Sequence, residues 1–164
     1  MFKNSLRKHF CIFFLLSFSW THIQCQNTIV VSKQHMNLIV INQNSDTVFL
    51  CKVALGRGIG QKEKVGDMRT PEGLFHIVEI CDSKSWKHDF HDGKGLVAGS
   101  YGPFFIRLSV PGFIGIGIHG TCFPESIGKR ATEGCIRLKN EDLIKLVKII
   151  SVNDSVFILP EKNN

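Results

Sequence analysis

The sequence predicts a mainly β domain with one packed helix near its C-terminus. Three observations carry that expectation. Short runs of β-branched and other apolar residues recur along the chain, parted by polar or glycine-rich breaks. Helical periodicity shows in a single segment, just after Asn140. The chain has 164 residues, enough for one domain with a core, and it carries no internal repeat or linker.

Taken in order, residues 28–32, 37–41 and 47–55 read as strands. The last two bracket Asn42-Gln43-Asn44-Ser45-Asp46 and read as a hairpin. A charged, glycine-rich loop follows, from Gly56 to Asp67, and Thr70-Pro71-Glu72-Gly73 is a turn signal before a strand at 74–80. Residues 82–100 are polar, hold His88-Asp89-Phe90-His91-Asp92, and read as a long surface loop of the kind that lines binding sites. Residues 103–110 and 113–118 are the next strands, the second delivering His119 at its end. Asn140 is a candidate helix cap, Glu141 and Asp142 favour the N-terminal dipole, and Leu143, Leu146, Val147 and Ile150 share one face. Residues 155–159 close the domain as a strand.

The first residues stand apart. Lys3, Arg7 and Lys8 precede an apolar run at 10–20, too short to span a bilayer comfortably, so residues 1–25 read as an export signal. The expected location is therefore the periplasm or cell envelope. Lipid anchoring at Cys25 is not favoured, because Gln24 is a poor residue to precede a modified cysteine. Without that segment the balance is 17 basic to 14 acidic residues, +3 rather than the +6 of the full chain. A nucleic-acid-binding balance is absent, so no nucleic-acid partner is expected. Six cysteines at 11, 25, 51, 81, 122 and 135 form no C-x-x-C pair, and a Cys51–Cys81 disulfide stays open beside free, buried thiols.

Two residues offer chemistry. Cys135 lies between Gly134 and Ile136 with Arg137 two places on, a poor design for a core thiol and a good one for a nucleophile. His119 is the natural base, with the Gly120 carbonyl placed to hold its tautomer. Gly134 would leave backbone amides open for an oxyanion, and Arg137 would brace the loop or bind a substrate carboxylate. On spacing alone, the pair also fits a satisfied strand-end histidine and a buried thiol. A zinc set of His119, Cys122 and Cys135 lacks an evident fourth ligand. A phosphatase loop is excluded because Glu141 stands where its arginine belongs, and Gly56-x-Gly58-x-Gly60 opens no helix.

His119-Gly120-Thr121, a spacer with Ile127-Gly128, and Thr132-x-Gly134-Cys135-Ile136-Arg137-Leu138 together resemble the catalytic signature of the L,D-transpeptidases (YkuD-type domain). The segment from Gly66-Asp67 to Thr70-Pro71-Glu72-Gly73 resembles that family's upstream motif, and the resemblance covers about residues 28–160. It implies a mixed β-sandwich-like catalytic fold acting on peptidoglycan stem peptides without a metal or organic cofactor. Cys135 would be the nucleophile and His119 the general acid/base, with Gly120 orienting His119. Gly134 and Cys135 amides would form the oxyanion hole, with Thr132 and Arg137 at the substrate. D-alanine would leave a tetrapeptide stem, and a diamino acid of a second stem would complete a 3→3 cross-link. Carbapenem-type inhibitors would acylate Cys135.

One position departs from the pattern. Many members have Ser-His-Gly-Cys, whereas this chain has Thr132-Glu133-Gly134-Cys135. A carboxylate there should raise the pKa of the thiol. Two other readings remain open from the residues: transfer to water, as an L,D-carboxypeptidase or endopeptidase, and a catalytically silent wall-binding module.

Overall fold

The computed structural model describes residues 26–161, so the export-signal reading of residues 1–25 lies outside the described residues. Eight strands form one mixed sheet: β1 (Thr28–Ser32), β2 (Asn37–Ile41), β3 (Thr47–Lys52), β5 (Gly73–Asp82), β8 (Phe104–Leu108), β9 (Gly117–His119), β11 (Ile136–Arg137) and β12 (Ser155–Leu159). Their order is β11-β9-β8-β5-β12-β1-β2-β3. Two short pairs complete the strands, β4 (Leu55–Gly56) with β10 (Arg130–Thr132), and β6 (Lys87–Asp89) with β7 (Leu96–Ala98). Helix α1 spans Asn140–Val147.

Alternation along β1, β2 and β12 decides which face is inside. Ile29, Val31, Leu38, Val40, Val156 and Ile158 are fully buried, and they stand opposite one another in register. Ile118 and Ile136, from the far end of the sheet, belong to the same apolar cluster, as do Leu143 and Leu146 of the helix. The sheet must therefore curl so that its two halves face each other across one core. Closure is nearly complete: Ala54, just beyond β3, exchanges backbone hydrogen bonds of 2.8 and 2.9 Å with Arg137 of β11. This is the expected mainly β, sandwich-like architecture with one packed helix. The helix is short for independent stability, so its Leu143 and Leu146 face, not its propensity, holds it.

The β2–β3 hairpin forms around the Asn42 turn, whose side-chain oxygen accepts from the Asn44 and Asp46 amides at 2.9 Å each. Several expectations need correction. The strand expected at 113–118 begins only at Gly117, because Gly112 and Gly115 take φ near +77° and +79° and the chain turns between them. The long loop at 82–100 contains the β6–β7 hairpin. Asn140 is not the helix cap. Lys139 occupies that position, while the Asn140 side chain accepts from the Thr121 amide at 2.8 Å. The four described cysteines are free thiols. Cys51, buried on β3, and Cys81, half-buried on β5, lie on strands separated by β12, β1 and β2, and no disulfide joins them.

Candidate active site

His119 ends β9 and Arg137 ends β11, and parallel pairing sets the two side by side. Side chains alternate along a strand, so Ile118 and Ile136 enter the core while His119, Arg137 and Cys135 share the opposite face. All three line one cavity of ≈ 300 Å³. The sequence signature is thus a consequence of strand register: His119 and Cys135 are brought together by β9–β11 pairing.

The histidine is held from several sides. Its Nδ1 lies 2.7 Å from the Gly120 carbonyl, as the sequence suggested, which puts the ring proton on Nδ1 and leaves Nε2 as an acceptor. Tyr101 packs edge-on against the ring at 5.1 Å and Phe105 stacks on it at 5.7 Å. Burial in this aromatic setting pulls the His119 pKa down to about 3, with Arg137 and His88 adding to the fall and the Gly120 carbonyl opposing it. Glycine is required at 120 by close approach: a Cβ there would lie 2.2 Å from Asn140 Oδ1 and 2.9 Å from Gly102 Cα.

The cysteine sits on a tight turn. Gly134 has φ +131°, and a Cβ would come within 2.9 Å of the Arg69 carbonyl, so glycine alone fits. That contact also explains why the two separated motifs occur together: the Gly66–Arg69 segment packs directly behind the Cys135 turn. Asp67 organises that segment, accepting from Lys62 Nζ and the Arg69, Glu63 and Lys64 amides at 2.8 to 3.0 Å. The Lys62 ammonium and these amides outweigh its burial and hold the Asp67 carboxyl well below the usual carboxylate range.

The Cys135 thiol donates to the Gly115 carbonyl at 3.3 Å rather than to the His119 ring. Burial pushes it up to about 11. The Gly117 amide, Arg137 and Lys62 pull it down, and Glu133 pushes it further up, as the sequence suggested, although burial is the larger cause. At neutral pH the resting pair is a neutral thiol beside a neutral imidazole. Such a pair can move a proton from sulfur to Nε2 as the sulfur attacks, without first forming separated charges.

The other expected residues have defined partners. Thr132 lines the cavity, and its Oγ1 donates to the Cys135 carbonyl at 2.6 Å and accepts from the Gly134 amide at 3.2 Å, so the hydroxyl braces the turn with its one proton while a lone pair stays open. The same bond occupies the Gly134 amide expected at an oxyanion, leaving the Cys135 amide of that pair. Arg137 is buried and gives Nη1 to Ser126 Oγ at 3.1 Å, while its buried Nε has no partner. Among the described residues, no three His, Cys, Asp or Glu side chains converge as a metal site. Sequence reasoning missed Tyr101 and Phe105 and gave Asn140 the role of helix cap, whereas His88 lay in the loop expected to line a binding site. His88 and Tyr101 line the cavity and lie 2.9 Å apart, Nδ1 to hydroxyl, yet neither belongs to a spaced motif.

Comparisons with known proteins place this fold in a family. The family model of the L,D-transpeptidase catalytic domain, YkuD, matches residues 26–158. The Bacillus subtilis protein YqjB, provisionally named an L,D-transpeptidase, is 30% identical over 139 residues, covering 83% of this chain and 73% of its own length. Bacillus subtilis YkuD, named in the same provisional way, is 44% identical over 82 residues, 50% of this chain and 40% of that protein. The chain spans about half the length, 46% and 40%, of the two YkuD proteins it matches. Among solved structures, the helical cell shape determining protein Pgp2 of Campylobacter jejuni superposes with TM-score 0.61 at 24% identity, over 84% of this chain and 49% of that one. L,D-transpeptidase 3 of Mycobacterium tuberculosis, solved with a faropenem-derived adduct, gives 0.61 at 15% identity, over 82% and 60%. Both structures share the fold. The chain belongs to the family of L,D-transpeptidase catalytic domains.

Proposed function

We propose that this protein is an exported peptidoglycan L,D-transpeptidase in which Cys135 is the nucleophile and His119 the general acid/base. One observation carries the reading: both side chains line the same cavity, with His119 Nδ1 committed to Gly120 so that Nε2 is the free acceptor. The sulfur attacks the carbonyl carbon between the third stem residue and the terminal D-alanine as its proton passes to Nε2. The Cys135 amide donates to the developing oxyanion. When the C–N bond breaks, His119 returns that proton to the leaving amine, and D-alanine departs from a thioester on Cys135. A diamino-acid amine of a second stem then displaces the sulfur, forming a 3→3 cross-link.

The test is direct. Incubation with a carbapenem should add one inhibitor mass to the intact wild-type protein and none to Cys135→Ala. An unmodified wild type, or an adduct surviving in the variant, rejects the nucleophile. Incubation with disaccharide tetrapeptides should then yield cross-linked dimers; tripeptides alone would mean that water is the acceptor.

Export rests on Lys3, Arg7 and Lys8 ahead of the apolar run at 10–20. Expressed from the whole sequence in a bacterial host, the protein should be recovered from the envelope fraction with its N-terminal segment removed. Recovery of uncleaved protein from the cytoplasm would refute it.

A further inference from the structure

Glu133, the residue that breaks the family pattern, has surroundings that suit a cation. Of the residues lining the catalytic cavity it supplies the carboxylate, one residue before Gly134 and two before Cys135. Its partners are loose. Oε2 lies 3.3 Å from His88 Nε2, and Oε1 lies 3.6 Å from Arg57 Nη2, an arginine whose side chain is more than half exposed. Charge-assisted bonds run at about 2.7–2.9 Å, so neither contact saturates the carboxylate. Asp67 and Glu72, by contrast, are tightly bonded to Lys62 and Lys33 at 2.8 Å each. The rings of Phe90 and Tyr101 line the same cavity, with His88 packed on both. A carboxylate flanked by aromatic rings is a setting that attracts an ammonium group. The other ionised side chains here are cations: Lys62, already paired, and Arg137, buried beneath.

We infer that Glu133 is the acceptor-site residue: it binds the ammonium of the incoming diamino acid beside the Cys135 thioester and selects an amine over water. This rests on the acyl-transfer reading above. An ammonium cannot attack, because its nitrogen has no lone pair. It gives one proton to the Glu133 carboxylate, which passes it to solvent at the cavity rim. The free amine then adds to the thioester carbon. The C–S bond breaks with its electron pair on sulfur, and the second proton travels from nitrogen through His119 to Sγ. The products are an amide, a thiol and one released proton, so the step balances. His88, held on Nδ1 by the Tyr101 hydroxyl, positions the carboxylate.

Glu133→Gln separates this role from a structural one, because its two effects have opposite signs. Removing a negative charge near the thiol should leave carbapenem acylation unimpaired or faster. Transfer to a diaminopimelate-bearing tetrapeptide should fall about tenfold or more, chiefly through a raised acceptor KM. Transfer to hydroxylamine, which is neutral at pH 7, should fall far less. A thermal midpoint close to wild type is expected, since both Glu133 contacts are long, at 3.3 and 3.6 Å, and partly open to solvent. Equal loss with both acceptors, or no loss with either, overturns the inference. If the wild type itself fails to acylate, the acyl-transfer reading falls instead, so the two failures are distinguishable.

Discussion

Replacing His119 with alanine is expected to slow acylation of Cys135 by about 10²–10⁴-fold at pH 7. The pH dependence should change as well. In the wild type, the imidazole is neutral above about pH 3 and the thiol stays protonated up to about pH 11. The reactive neutral pair is therefore present throughout the intervening range, and acylation should be flat between about pH 5 and about pH 9. Without the base, the thiol must ionise by itself. Below a pKa of about 11 the thiolate fraction rises tenfold per pH unit, so the residual rate of the variant should do the same. Stopped-flow carbapenem acylation across that range measures both. A wild-type limb near pH 6.5 would show a solvated histidine in place of the buried one. A flat residual rate in His119→Ala would place the base elsewhere.

The largest loss of stability is expected at Lys33. This side chain is fully buried, and its ammonium donates to the Gly60 and Thr70 carbonyls at 2.6 and 3.0 Å and to Glu72 at 2.8 Å. Burial pulls the Lys33 pKa below its ordinary value, while Glu72 supports the charged form. Lys33 thus ties the turn after β1 to the segment that carries Asp67 and backs the Cys135 turn. Lys33→Ala removes one partner of a buried pair and leaves a cavity, at a cost of about 3–5 kcal/mol. For a domain of this size that corresponds to a thermal midpoint about 10 °C lower. Lys33→Met combined with Glu72→Gln should recover part of the loss, because the double change removes the stranded carboxylate as well. Calorimetry reads both. A midpoint unchanged in Lys33→Ala would mean that the network contributes nothing net.

Local pattern made several elements legible. The β2–β3 hairpin and the closing strand follow from period-two alternation and an Asn-rich turn, both properties of adjacent residues. The helix was legible for the same reason, through Leu143 and Leu146, but its cap was not. Asn140 has the right chemistry for a cap and is used elsewhere, because the Thr121 amide lies against it in space. β4, β10 and β11 were invisible, since two or three residues carry no periodicity and their partners are distant in sequence. The strand at 113–118 was misplaced because its apolar residues conceal the turn made by Gly112 and Gly115.

The sequence by itself determined the nucleophile and base candidates, the orienting role of the Gly120 carbonyl, and the family, because these are matters of residue type and order. Only the tertiary structure decided how the site is tuned. Burial against Tyr101 and Phe105 keeps His119 neutral, and burial in the cavity keeps Cys135 protonated, both through desolvation that no local spacing encodes. The fold also gives Thr132 a part in the turn, its hydroxyl bridging the Cys135 carbonyl and the Gly134 amide. Glu133, in sequence merely a charge that raises the thiol pKa, acquires His88, Phe90 and Tyr101 as neighbours only when the β6–β7 hairpin is folded beside the cavity.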